Sequence, residues 1–349
     1  MFDVSFSIEP YEFIKKDLIA FRNANRDLMR DEAYFRWRYK ERPNGADPII
    51  VWAKDNSGAR VGALSVIPHH YQLGNHTTLL GVLGDISILE QQRGKGIARR
   101  MFNFLAESNE SKKFAALIVL PNDEAARAFQ GAGWQTITKI ERHIKFLSIR
   151  RTLDRHIGSF LSGLLSPVSD SLLKLLSLET LLSSNKDCKG ELLDCFDDRF
   201  DELWQAVDKK GTFLALRNKA YLTWRYSNHP IVNYHIFALS YRTGLSGYIV
   251  FHLHNDICYI DDILFRNDRK TRNQLFFCFI QHVRSHMNLT AIIINVNENN
   301  FLKHTLGQFG FIRRPDHLKV MARCIHAEYI EDLFKEGRNW FLTAGDKDT

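Results

Sequence analysis

Long apolar runs are missing from this chain of 349 residues. No window reaches the ~18 consecutive apolar residues that cross a bilayer as a helix, so no transmembrane segment is expected. Cysteine is scarce as well. The five present, Cys188, Cys195, Cys258, Cys278 and Cys324, are odd in number, absent from the first half and without CxxC spacing. That pattern argues against a disulfide framework or a zinc site and for free thiols in a reducing compartment. The start, Met1-Phe2-Asp3-Val4-Ser5, has no basic region followed by an apolar stretch, so no secretory leader is read there and the cytoplasm is the expected compartment. Uninterrupted basic runs and nucleic-acid motifs are also absent. A formal net charge of +7, spread over so long a chain, describes a mildly basic surface that helps attract an anionic cofactor or substrate rather than a nucleic acid.

What is there is the composition of a folded protein. Hydrophobic residues at 45% with 25% charged exclude wholesale disorder. The length exceeds one average domain of roughly 100–200 residues, so two compact units are expected. Between them lies a leucine-rich segment, Ile157 to Leu182, in which Leu172, Leu173, Leu175, Leu176, Leu178 and Leu182 crowd a helix starting near Ser169. It reads as packing between domains. An interfacial membrane helix would look similar, but only Lys174 supplies a basic anchor.

Apolar spacing predicts helices through Phe13 to Phe21 and around Asp31 to Tyr39. Strand-like runs follow at Ile49 to Ala53, Val61 to Ile67 and Thr78 to Leu89, the first two joined by the hairpin residues Asn56-Ser57-Gly58. After a glycine loop, Ile97 to Ala106 has helical spacing. Phe114 to Leu120 is the nearly continuous apolar run of a strand buried on both faces, and Asn122 or Asp123 caps a helix ending near Gly131-Ala132-Gly133.

The second half repeats this plan. Tyr34-Phe35-Arg36-Trp37-Arg38-Tyr39 recurs as Tyr221-Leu222-Thr223-Trp224-Arg225-Tyr226, followed by Pro43 and Pro230 respectively. At a shift of 177 residues, Asp85-Ile86 answers Asp262-Ile263, Asn122 answers Asn299, and Gly133-Trp134 answers Gly310-Phe311. Two copies of one fold account for this. Recurrence in both copies assigns Trp37-Arg38-Tyr39 and Trp224-Arg225-Tyr226 to an anchoring helix rather than to substrate binding.

The run Gln91-Gln92-Arg93-Gly94-Lys95-Gly96-Ile97-Ala98 carries the chemistry. A strand passing through Gly-x-Gly straight into a helix leaves several N–H groups unpaired, with the positive end of the helix dipole behind them. A pyrophosphate fits there. Gly94 and Gly96 let the backbone approach phosphate oxygens, and Arg93 and Lys95 add charge at the rim. Neither the Gly-Lys-Ser/Thr ending of nucleotide triphosphatases nor the dinucleotide GxGxxG pattern is met.

With the strand Asp85-Ile86-Ser87-Ile88 before the loop and Asn122-x-x-Ala125-x-x-x-Phe129-x-x-x-Gly133-Trp134 after it, the first half resembles the GNAT N-acetyltransferase superfamily over about fifty residues. The resemblance implies an α+β fold (an α/β mixed sheet) made of two tandem GNAT-like domains, each a mixed central sheet flanked by helices. The expected layout is an acyl-CoA-binding domain over 1–150, a helical connector over 151–195, and a degenerate domain with a C-terminal helical tail over 196–349.

It further implies that acetyl-CoA, or another acyl-CoA, is the co-substrate, with no metal. Its pantetheine arm would lie along Ile86, Ser87 and Ile88, its pyrophosphate on Gln91 to Ala98, with Asn122 hydrogen-bonded to it or simply capping its helix, and Phe129 packed beside it while also serving as a core aromatic. Many family members carry a tyrosine where Phe129 stands. Phenylalanine donates no proton, so water or another residue must protonate the leaving thiolate.

In such a site a substrate amine attacks the thioester after losing a proton. Asp85 is the carboxylate nearest the expected centre and the candidate base, although its repeat partner Asp262 suggests a shared structural role. Glu90 and the pair His69-His70 are lesser candidates. In the second copy the glycine positions fall on Thr271 and Asn273, within Asp268-Arg269-Lys270-Thr271-Arg272-Asn273. Side chains there should obstruct phosphate, so this copy is read as having lost acyl-CoA binding. The expected function is acyl transfer to a primary amine of a small-molecule acceptor. A cell-wall type peptidyltransferase using aminoacyl-tRNA and a non-catalytic acyl-CoA sensor are the alternatives.

Overall fold

The computed structural model describes residues 4–26, 28–43, 45–73, 76–148, 179, 187–242, 244–326 and 340–347. Most of the expected connector, 151–186 apart from Glu179, lies outside them, as does 327–339 of the expected helical tail.

The first half opens with β1 (Ser5–Glu9), a short edge strand that hydrophobic periodicity does not reveal. Helices α1 (Tyr11–Ala24) and α2 (Glu32–Tyr39) follow, the second capped by Asp31, whose side chain accepts from the Tyr34 N–H. The hairpin of β2 (Ile49–Lys54) and β3 (Arg60–Leu73) turns where expected: Asp55 accepts from the N–H groups of Ser57 and Ala59, and Gly58 takes φ +81°. Next come β4 (His76–Ile88), α3 (Ile97–Glu107), β5 (Ala116–Val119), α4 (Asp123–Gly131) and β6 (Gln135–Phe146).

The second half contains β7 (Cys188–Leu193), α5 (Asp198–Ala206), β8 (Phe213–Ala215) and α6 (Lys219–Leu222), which runs on as a π turn over Thr223–Ser227. Then follow β9 (Tyr234–Tyr241), β10 (Gly244–His254), β11 (Ile257–Phe265), α7 (Arg269–His286), β12 (Ala291–Asn297), α8 (Leu302–Gln308) and β13 (Ile312–Cys324). The described part of the tail is β14 (Trp340–Phe341) and a 3-10 turn, Ala344–Asp346. Cys188–Leu193, within the stretch read as connector, is an edge strand on β9.

One sheet unites both halves in the order β1-β2-β3-β4-β5-β13-β6-β12-β11-β10-β9-β7. The last strand of each half has crossed over. β13 lies antiparallel between β5 (Met321 opposite Val119) and β6 (Ile312 opposite Ile144), and β6 pairs with β12 (Asn297 opposite Ile140). Side chains fix this exchange. Glu141 of β6, 1% exposed, is paired with Arg313 (2.6 Å) and Lys303 (3.1 Å) of the second half. Lys145, also on β6, donates to the Phe309 carbonyl (2.7 Å) and pairs with Glu179 (3.3 Å). Buried charges must find partners, so these select the register.

Two further contacts lock the halves. Trp37 and Trp224 stack with ring centres 5.2 Å apart, and each indole N–H donates to the other residue's carbonyl, at 2.7 and 2.9 Å. The reciprocity is that of a pseudo-two-fold axis. Away from it, the end of β3 pairs with β8 (Tyr71 opposite Ala215), and β14 lies parallel to β8. The largest hydrophobic core therefore draws on both halves, from Tyr11 and Trp52 to Phe276 and Phe341.

This seam can be tested in two ways. Residues 1–148 alone leave β5 and β6 without β13 and β12, so this fragment should lack the cooperative thermal transition of the full chain by circular dichroism, and a folded fragment would contradict the exchange. His229, packed on Trp37 at 4.4 Å, uses Nδ1 to accept from the N–H groups of Ile231 and Val232. Burial first, then Arg225, Arg30, Arg38 and His252, push its pKa down to about 4. A histidine neutral in the folded state but protonated when unfolded costs stability as pH falls from its ordinary ~6.5 toward that value, and no more below it. Tm of the wild type should thus fall more between pH 7 and 4.5 than that of His229→Asn, and parallel curves would disprove it.

Candidate active site

β4 and β5 are parallel neighbours for three residues only, Leu80, Gly81 and Val82 opposite Ala116, Leu117 and Ile118. Beyond that point β4 continues to Ile88, still paired with β3, and its other edge has no strand beside it among the described residues. The ladder is bulged between Ala63 and Ser65, where Asp85 takes φ +55°. The strands therefore splay, and Ile86, Ser87 and Ile88 present main chain along one wall of the gap. The exposed Arg26 donates to the Ile86 carbonyl at 2.9 Å.

At the end of this wall Glu90–Gln92 forms a 3-10 turn. Gly94 (φ +77°) and Gly96 (φ +72°) then lead into α3, with Gly96 its N-cap. No side chain caps this helix, its first turn holds no acidic residue, and a Cβ added at either glycine would meet open space within 4 Å. The first N–H groups of a helix lack intrahelical acceptors, so they face outward here with the helix dipole behind them. Gln91 and Arg93 are exposed. Lys95 donates to the Gln92 side chain (2.9 Å), and Arg93 reaches the Ile88 carbonyl (3.3 Å). Ile97, 1% exposed, anchors the helix, with Ala98 half-buried beside it.

Asn122, following β5, caps α4, its side chain accepting from the Ala125 N–H at 2.9 Å. It is exposed. Phe129 is fully buried, stacked on Phe102 (centres 3.9 Å apart) and edge-on to Trp134. It holds α4 against α3 and offers no surface to a ligand. The structure thus joins residues 86–88 and 91–98 along one wall, places Asn122 after the other strand, and puts Phe129 in the core behind.

Asp85 is the centre of an ion cluster that motif reading did not reveal. Arg22 of α1 grips Oδ1, while Arg38 (3.0 Å) and the Tyr39 hydroxyl (2.5 Å) hold Oδ2. Burial, opposed by Tyr39 and aided by Arg38 and Arg26, brings the Arg22 pKa down to about 10, so it remains charged at neutral pH. Asp262 is held in like fashion by Arg217 (2.8 Å), the Tyr248 hydroxyl (3.0 Å) and Thr343 (3.3 Å). The repeated Trp-Arg-Tyr motif was the available signal: its tryptophans form the seam, and Arg38 and Tyr39 reach the bulge. Of the lesser candidates, Glu90 is exposed on the turn, whereas His69 is buried, its pKa held well below the ordinary value by burial and then by Arg42. Among the described residues no group of His, Cys, Asp and Glu forms a metal cluster, and no helix is long and apolar enough to cross a membrane.

The second copy differs at both features. Asp268 caps α7 with its own carboxylate, accepting from the Thr271 N–H at 2.7 Å. β11 and β12 splay beyond Ile260 and Ile294, but the tail fills the gap. Thr343 bridges to Val296, Asn297 donates to the Trp340 carbonyl (2.8 Å) and accepts from the Leu342 N–H (3.1 Å), and Gly345 lies against the Tyr226 hydroxyl and the Asp261 carbonyl. Arg225 donates to the carbonyls of Gly345 (3.2 Å) and Lys347 (3.0 Å).

A splayed parallel pair, a bulge at its apex and a glycine loop opening a helix, in a sheet that repeats the splay with its second gap filled, define a tandem GNAT fold. Residues 12–134 match the model of the acetyltransferase (GNAT) family. Among solved structures the chain is similar to a GCN5-related N-acetyltransferase from Anabaena variabilis, with a TM-score of 0.65 and 14% identity over 93% of this chain and 73% of that one. It is also similar to a protein of unknown function from Enterococcus faecalis described as a probable N-acyltransferase (TM-score 0.64, 11% identity, 93% and 73% covered). A tandem GNAT protein from the clavulanic acid biosynthesis pathway aligns over its whole length (TM-score 0.57, 12% identity, 93% of this chain). No curated protein sequence matches this chain. The family match over residues 12–134 and these neighbours support the expected mixed-sheet tandem GNAT architecture.

Because an added Cβ meets nothing at Gly94 or Gly96, alanine there adds only the strain of a left-handed residue, about 1 kcal/mol. Gly94→Ala and Gly96→Ala are expected to lower Tm by roughly 2–4 °C or less while weakening coenzyme A binding by roughly tenfold in calorimetry, as main-chain approach to phosphate is lost. Unchanged affinity would remove the loop from the site.

Proposed function

We infer that this protein transfers an acetyl group, or a longer acyl group, from coenzyme A to a primary amine of a small-molecule acceptor, using the N-terminal cleft. The observation that carries this reading is the pairing of an uncapped, glycine-opened α3 with the unpaired edge of β4, at the place where the second copy has a capped helix and a filled gap. The pyrophosphate is held by main-chain N–H groups from Gly94 to Ala98 with Arg93 and Lys95 at the rim. The pantetheine amides pair with the main chain of Ile86, Ser87 and Ile88, and Asn122 adds its free amide N–H.

The bulge at Asp85 sets the thioester at the apex of the splay, where main-chain N–H groups stabilise the developing oxyanion. The amine nitrogen forms its bond to the acyl carbon, the carbon–sulfur bond breaks, and the thiolate leaves, taking its proton from water. In this reading Asp85 is a positioning residue, because Arg22, Arg38 and Tyr39 engage both of its oxygens, and the ammonium loses its proton to water.

Incubation with acetyl-CoA and a mixed library of primary amines, with assay of released thiol, tests the function: amine-dependent release is expected, and saturable binding without release would make the protein a binder only. Asp85→Asn should lower kcat/KM by roughly tenfold or more at every pH while leaving the midpoint of its rise with pH in place. A lost or shifted midpoint would make Asp85 the base.

A further inference from the structure

The filled cleft is an internal template for the open one. In the second copy Arg217 bridges two carboxylates, Asp262 on the bulged strand (2.8 Å) and Asp346 on the tail (2.7 Å), all buried. Asp346 is carried into the gap by a stretch of main chain lying between Asp261 and Val296. At the 177-residue shift those two positions become Gly84 and Val119, the two walls of the first cleft. The tail therefore runs where an extended amide-bearing ligand would run in the first copy, and it brings an anion with it.

In the first copy Arg22 plays the part of Arg217 toward the bulge aspartate, but reaches one carboxylate only. Its Nη1 is buried and has no hydrogen-bond acceptor among the described residues, and the residue is 8% exposed. A buried guanidinium N–H without an acceptor is costly, and Arg26 and Arg38 beside it make the surroundings still more positive. Acids on α1, on α2 and just after it are engaged elsewhere: Glu12 with Lys40, Asp17 with Arg60, Glu32 with Lys15, and Glu41 with Arg36. In the second copy Asp261 is likewise taken, by His252.

We propose that the N-terminal cleft takes a substrate bearing a carboxylate, received by Arg22 as Arg217 receives Asp346. This rests on the transferase reading above. The carboxylate belongs either to the acceptor, as in an amino acid, or to the acyl group, as in a dicarboxylic acyl-CoA. Either forms the charge-assisted pair that guanidinium groups favour.

The test has two arms on the full-length protein. In the first, acetyl-CoA is the donor, and linear ω-amino acids from glycine to 6-aminohexanoate are compared with their carboxamides. In the second, succinyl-CoA and glutaryl-CoA are compared with acetyl-CoA and butyryl-CoA by calorimetry. At least one arm should show the carboxylate member favoured by roughly tenfold or more, and the arm that does identifies its source. Arg22→Gln should abolish that preference, and Arg22→Lys should keep part of it, while affinity for coenzyme A itself changes little in both. A merely structural arginine would lower Tm without altering the carboxylate-to-carboxamide ratio. Coenzyme A binding with no carboxylate preference in either arm would overturn the proposal. Absence of coenzyme A binding would overturn the transferase reading and this proposal with it.

Discussion

The exchange of β6 and β13 is the constraint on which the rest of the molecule depends. β5, one wall of the open cleft, pairs with β4 over three residues and with β13 over Ala116 to Val119. Its position is therefore fixed largely by a strand from the other half. The splay between β4 and β5 exists because β13 holds β5 while β3 holds β4. A copy with no open cleft of its own thus completes the sheet of the copy that keeps one. Buried Glu141 and Lys145, answered by groups outside the first half, and the reciprocal Trp37–Trp224 pair tie the two halves together through one shared sheet.

From one duplicated plan two different clefts result. Glycines at 94 and 96 leave the start of α3 bare, whereas Asp268 satisfies the start of α7 internally. The gap between β11 and β12 is closed by a tail whose Gly345 fits only because it lacks a Cβ. Arg225 turns to the tail's carbonyls, while its counterpart Arg38 turns to Asp85. One motif thus holds the tail in the gap of one copy and builds an ion cluster beside an open slot in the other.

The loop, the helix after it, the hairpin and the duplication were legible in the sequence because each has a local signature: positive-φ glycines, periodicity, turn residues, and a repeated hexapeptide followed by further matches at a shift of 177 residues. Sequence also showed that the second loop lacks glycine. Three features were not legible. Strand exchange leaves no local mark, since β6 and β13 have the same alternation whichever partner they meet. The tail's occupation of the second gap depends on contacts across more than forty residues, as between Asn297 and Trp340. The convergence of Arg22, Arg38 and Tyr39 on Asp85 joins two helices and a strand that no spacing rule connects. For Phe129 the motif suggested a place beside the cofactor as well as a core role, and packing against Phe102 and Trp134 shows the core role.

The central claim is that main-chain amides at the start of α3 hold a diphosphate. Titration of isotopically labelled protein with coenzyme A, followed by amide resonances, tests it most directly. Saturable shifts at Gly94, Gly96 and Ile97, with Arg269 to Thr271 unmoved, are the predicted result. Saturable binding that leaves the Gly94 to Ala98 amides unchanged would contradict the account.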